Sequence, residues 1–130
     1  MRRPLLLLLL VALALPSGCL LGDDDPEYEY SLAAIDSVQA LPTIAPTVGF
    51  RVVAGFPTSC WELVDVQVTQ LSTSLYTVAL NGRIRNDIGC GDMWWRFERD
   101  VTVDVAAPGD YTFRFLRRGG EPLEVIAQVR

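Results

Sequence analysis

The chain has 130 residues, half of them hydrophobic, and a formal net charge of −5. It contains no His, and all 11 of its basic side chains are Arg. His-based metal sites, Ser-His-Asp triads, Cys-His dyads and lysine chemistry are therefore excluded within this chain. The length suits one domain, and an acidic balance without a basic block argues against nucleic acid as a partner.

Residues 1–18 read as a leader. Arg2 and Arg3 form a positive start, and residues 5–15 are an apolar run without charge. That run is shorter than the roughly 20 residues of a membrane-spanning helix and fits the apolar stretch of a signal peptide. Pro16, Ser17 and Gly18 then precede Cys19.

Small residues directly before a Cys, at the end of an apolar run, resemble the lipobox of bacterial lipoproteins. The resemblance implies cleavage before Cys19, acylation of Cys19 and a membrane partner held through its acyl chains. The alternative is an ordinary secretory signal in which Cys19 is incidental. Leu20, where enterobacterial lipoproteins of the inner membrane carry Asp, points to the outer membrane of a bacterial envelope. With Cys19 given to lipid, Cys60 and Cys90 remain as a disulfide pair, as expected outside the cytosol. A redox pair would call for closer spacing. Losing Arg2 and Arg3 moves the side-chain charge from −5 to −7.

Residues 19–30 read as a tether. Asp23, Asp24, Asp25, Glu27 and Glu29 make it acidic, Pro26 interrupts it, and it has no amphipathic period. Like charges extend such a segment and hold a domain clear of the head groups. A calcium site is the alternative reading of these carboxylates, but the ligand spacing of a calcium-binding loop is absent. No other metal and no cofactor is expected.

From residue 31 onward the hydrophobic period is two, the signature of strands. Segments 31–41, 47–56, 61–71, 74–85, 94–105, 111–116 and 122–129 are predicted as seven strands. Val64, Val66 and Val68 share one face of the third. Tyr76, Val78, Leu80 and Ile84 face inward on the fourth, with Arg83 and Arg85 outward. Trp95, Phe97, Val101, Val103 and Val105 face inward on the fifth, with Arg96, Glu98, Asp100 and Asp104 outward. Strands with one wet face indicate antiparallel sheets packed as a sandwich over residues 31–130; a closed barrel is the alternative.

Pro108-Gly109-Asp110-Tyr111-Thr112-Phe113 resembles the tyrosine corner of immunoglobulin-like domains, in which a Tyr hydroxyl bonds back to the upstream backbone. Phe113 stands where antibody domains carry Cys, so their core disulfide is not implied. Residues 35–129 also resemble a loose set of uncharacterised bacterial lipoproteins. The shared motifs are Ile35-Asp36-Ser37-Val38, Gly55-Phe56-Pro57 ahead of Cys60, Cys90 some 30 residues on, and the late Pro108-Gly109-Asp110-Tyr111. This resemblance implies one seven-stranded antiparallel immunoglobulin-like β-sandwich and carries no activity.

For chemistry, paired carboxylates are what the composition leaves. Asp87, Asp92, Glu98, Asp100 and Asp104 are the candidates for a glycosidase-like pair. Glu98, Asp100 and Asp104 fall on the outer face, which suits solvated or Arg-paired groups better, and Arg83 and Arg85 would pair Glu98 and Asp100 if their strands were neighbours. No catalytic residue is assigned, and the chain is not expected to be an enzyme. Successive strand residues point to opposite faces, so of Trp94 and Trp95 one is core and the other outward. Trp94, with Trp61 and Arg96, is the candidate binding patch, since Trp and Arg anchor interfaces. The plainer reading has Trp94 covering the disulfide loop. Arg117 and Arg118 are expected at a solvated turn, where a contact to anionic lipid or to another protein is the alternative.

Overall fold

A computed structural model describes residues 25–130. The leader, Cys19 and the first half of the acidic segment, to residue 24, lie outside the described residues. The described chain is all-β, a sandwich of two sheets. Its strands are β1 (Tyr28–Leu32), β2 (Ala34–Ala40), β3 (Thr47–Phe56), β4 (Glu62–Ser72), β5 (Leu75–Arg85), β6 (Trp95–Asp104), β7 (Gly109–Leu116) and β8 (Leu123–Val129).

The strand count is eight rather than seven because segment 31–41 divides. β1 pairs with β5 in one sheet, and β2 pairs with β3 in the other. The chain changes sheets at Ala33, which is fully buried. Its N–H donates to Leu80 O at 2.9 Å, and its carbonyl accepts from the Arg118 N–H at 3.0 Å. The crossing thus leaves no backbone group of Ala33 orphaned. Alternation does not register a change of sheet, because both halves keep period two. Tyr28, Glu29 and Tyr30, expected in the tether, belong to β1 for the same reason: their pairing with Arg85, Ile84 and Arg83 is long-range.

β5 is the hub of the larger sheet. β4 runs antiparallel along one side of it. Its other side pairs first with β7, in parallel, and then with β1. β8 continues the sheet beyond β7. The β5–β7 pair corrects the expectation of a wholly antiparallel arrangement. The smaller sheet has the order β2-β3-β6.

The two inner faces meet on aromatic rings. Phe50 of β3 lies 4.7 Å from Phe113 and 5.1 Å from Phe115 of β7, centroid to centroid. Phe56, at the far end of β3, stacks on Trp61 at 5.3 Å and contacts Trp95 and Phe97 of β6. Val48, Val52, Val78 and Leu80 fill the space between. At the opposite end from Phe56, the Tyr111 hydroxyl donates to the Ala107 carbonyl, the back-bond expected of a tyrosine corner. Gly109 sits just before it at φ +152°, a conformation side chains resist.

β4 departs from its expected burial. A bulge between Leu63 and Asp65 adds Val64 as an extra residue, which shifts parity by one. Leu63 and Val66 therefore pack on the core and Val64 is turned out; Val68 keeps the face of Val66, opposite Val78, yet is exposed.

Gly82 of β5 is fixed by close approach. A Cβ there would stand 2.2 Å from Phe56 Cζ, on a ring already packed against Trp61. Overpacking of this kind costs about 1–3 kcal/mol. Gly82→Ala is expected to lower the unfolding free energy measured by urea denaturation by that amount. Gly89→Ala, with nothing within 4 Å of the new methyl, should stay within about 0.5 kcal/mol of wild type.

Candidate binding surface

Trp94 immediately precedes β6. Its neighbour Trp95 pairs with Phe56 and points inward; by alternation Trp94 is turned to the outer face of the smaller sheet. Its indole lies over Gly55 of β3, and only a glycine leaves that space. A Cβ at Gly55 would meet Trp94 Nε1 at 2.5 Å and the Trp95 carbonyl at 2.7 Å. One side of the indole is thus covered by backbone, and the residue remains 49% exposed.

Loop 86–94 carries this residue between β5 and β6. Cys90 within it is at disulfide-bonding distance from Cys60, with the Cα atoms 6.0 Å apart. The pair ties the middle of the loop to the turn before β4. Closing a span of about 30 residues stabilises by roughly 3–4 kcal/mol on the chain-entropy argument. Ile88 and Met93 lie in the same loop with Met93 70% exposed. Sequence reasoning missed these two. The available signal was a pair of apolar residues flanking Gly89-Cys90-Gly91 in a segment with no alternation to bury them.

Trp61 does not join the patch. It is 6% exposed, stacked on Phe56 within the core, and the Arg118 guanidinium lies 5.9 Å from the centre of its ring. It precedes β4 rather than opening it, so strand parity gave no guide to its direction. Arg96 does lie beside Trp94 in sequence and is exposed, with its Nε 3.4 Å from an Asp36 carboxylate oxygen. A shallow recess lined by Val53, Arg96, Phe97 and Glu98 runs along the same sheet.

The expected pairing of Arg83 and Arg85 with Glu98 and Asp100 is not formed, because β5 and β6 lie in opposite sheets. Arg51 of β3 takes that role. It donates to Asp100 at 2.9 and 3.1 Å and approaches Glu98 at 3.2 Å. Arg83 pairs with Glu62 and stacks over the Tyr28 ring at 4.4 Å. Arg85 bonds Asp87. Asp104 accepts from the Thr47 hydroxyl at 2.6 Å, and Asp92 is exposed in the loop. Among the described residues no polar or charged residue is buried. Hydrogen bonds from Arg51 and Arg85 hold Asp100 and Asp87 below the usual carboxylate range. A general acid needs a shift in the other direction. Chemically, the arrangement presents a flat aromatic and apolar surface beside an Arg–Asp pair. Among the described residues no cluster of His, Cys, Asp or Glu is built to hold a metal ion.

No family model, curated protein or solved structure matches this chain.

Two outcomes follow from this geometry. Iodide should quench the emission of Trp94 selectively, and Trp94→Phe should remove most of the quenchable signal while Trp61 remains protected. The second outcome concerns acid. The folded-state value of Asp100 is depressed, so its stabilising effect is complete above the ordinary carboxylate value near about pH 4. It is lost as pH falls through the lowered folded value. Arg51→Ala should therefore flatten the fall in the urea midpoint between neutral and acid pH, relative to wild type.

Proposed function

We propose that this chain is a bacterial lipoprotein, anchored by acylated Cys19, whose immunoglobulin-like sandwich serves as an extracytoplasmic binding or structural module without catalysis of its own. The anchor rests on the leader with its Ser17-Gly18-Cys19 ending. The observation that carries the binding role is Trp94: a half-exposed indole seated on Gly55 in a loop clamped through Cys90, next to an exposed Met93. Rigid aromatic residues held in this way are the usual anchors of interfaces. The cell envelope, at the outer membrane, is the location that Leu20 supports.

A second reading makes the chain a subunit of an envelope complex. It is favoured by β4, an 11-residue strand that among the described residues pairs only with β5 and is exposed over most of its length. Its free edge can take an added strand from a partner.

Mass spectrometry of the protein isolated from membranes tests the anchor. The expected mass is that of a chain beginning at Cys19 with acyl chains added, and Cys19→Ser should yield a protein that no longer fractionates with membranes. An unmodified Cys19 in the mature chain overturns the proposal.

A further inference from the structure

The position of the tether and the position of Trp94 are linked by the fold. Glu27, directly before β1, accepts a hydrogen bond from the N–H of Asn86 at 2.9 Å. Asn86 begins the loop that carries Ile88, Cys90, Met93 and Trp94. The chain therefore enters the sandwich at the same end that displays these exposed apolar residues. The Arg117–Arg118 turn also lies at that end, since Arg118 reaches Trp61.

Distance adds to this. Because β1 begins at Tyr28, the span from Cys19 to Glu27 is nine residues, against the twelve expected. Fully extended, it reaches roughly 30 Å. A surface on the anchored end of the domain thus stays close to the bilayer, and even a weak contact there becomes intramolecular. The nearby acids Glu62 and Asp87 are paired with Arg83 and Arg85, while Asp25, Glu27, Glu29 and Asp92 are exposed at the same end, so the surface suits a zwitterionic bilayer rather than an anionic one. The side chains on display, Trp, Met and Ile with Arg nearby, are those that settle at the boundary between head groups and acyl chains.

We infer that the partner of the Trp94 surface is the phospholipid bilayer itself: the anchored end of the sandwich rests on the membrane, with Ile88, Met93 and Trp94 at the head-group boundary. This rests on the lipoprotein reading above. It replaces the expectation that the acidic segment holds the domain clear of the head groups.

The experiment uses the acylated protein reconstituted in phosphatidylcholine vesicles whose acyl chains are brominated near the glycerol end, beside unbrominated vesicles and the Cys19→Ser protein. Flotation reads the anchor. The difference in emission between wild type and Trp94→Phe reads the docking. At a depth of about 5–10 Å, Trp94 emission should shift to the blue and be quenched roughly twofold by bromine. Ile88→Ser with Met93→Ser should weaken the quenching while leaving the urea midpoint unchanged, since both side chains are exposed. Protein that floats with Trp94 unquenched by bromine and open to iodide overturns the docking and leaves the anchor standing. Acylated protein that fails to float overturns the anchor and the docking with it.

Discussion

The side chain of Phe56 touches both sheets where the sandwich closes at one end. Trp61 stacks on it, Trp95 and Phe97 border it, and Gly82 of the opposite sheet leaves room for its ring. Much of that end depends on this packing. With Trp61 held inward, the adjacent Cys60 is fixed where Cys90 can reach it. With Trp95 drawn in against Phe56, its neighbour Trp94 must turn outward, and Gly55 gives it a seat. The exposed indole is a consequence of a buried one.

Electrostatics plays a different part. Every ion pair found among the described residues is at the surface, and such pairs contribute about 0–1 kcal/mol each. Several join strands: Arg51 to Glu98 and Asp100 across β3 and β6, Arg114 to Glu124 across β7 and β8, and Arg83 to Glu62 across β5 and β4. Their placement favours one strand register over its neighbours more than it adds to total stability, because a slip of one residue would turn each partner to the other face. Having only Arg for these cross-strand pairs gives a planar group that can bond both carboxylate oxygens, as Arg51 does with Asp100.

The two ends of the sandwich also differ in kind. One end has the tyrosine corner, the short turn between β4 and β5, and the cis Ala45–Pro46 bond. The other has the long loop to β6, the Cys pair, the Arg117–Arg118 turn and the point where the chain enters. The exposed apolar side chains Ile88, Met93 and Trp94 all belong to this second end.

How much of this was legible in the sequence depends on whether the signal was local. Period-two alternation identified six of the strand segments closely and the inward set on β5 and β6, because a strand's two faces are written in consecutive residues. Tyr111 was readable for the same reason: its back-bond spans four residues. Cys60 and Cys90 were paired by count alone. Tertiary structure decided the rest. Ala33 carries the chain from one sheet to the other, and β1 exists because β5 pairs with it from about 50 residues away. Arg51, not Arg83 or Arg85, meets Glu98 and Asp100, since sheet membership sets which strands are neighbours. Trp61 is buried and Trp94 is not, because each depends on what Phe56 and Gly55 leave open. The sequence by itself determined the strand period, the absence of His and Lys chemistry, and the leader-like pattern of its first residues. The fold alone decided which aromatic residues stay wet and that they share an end with the start of β1, because contacts between distant segments leave no period in the chain.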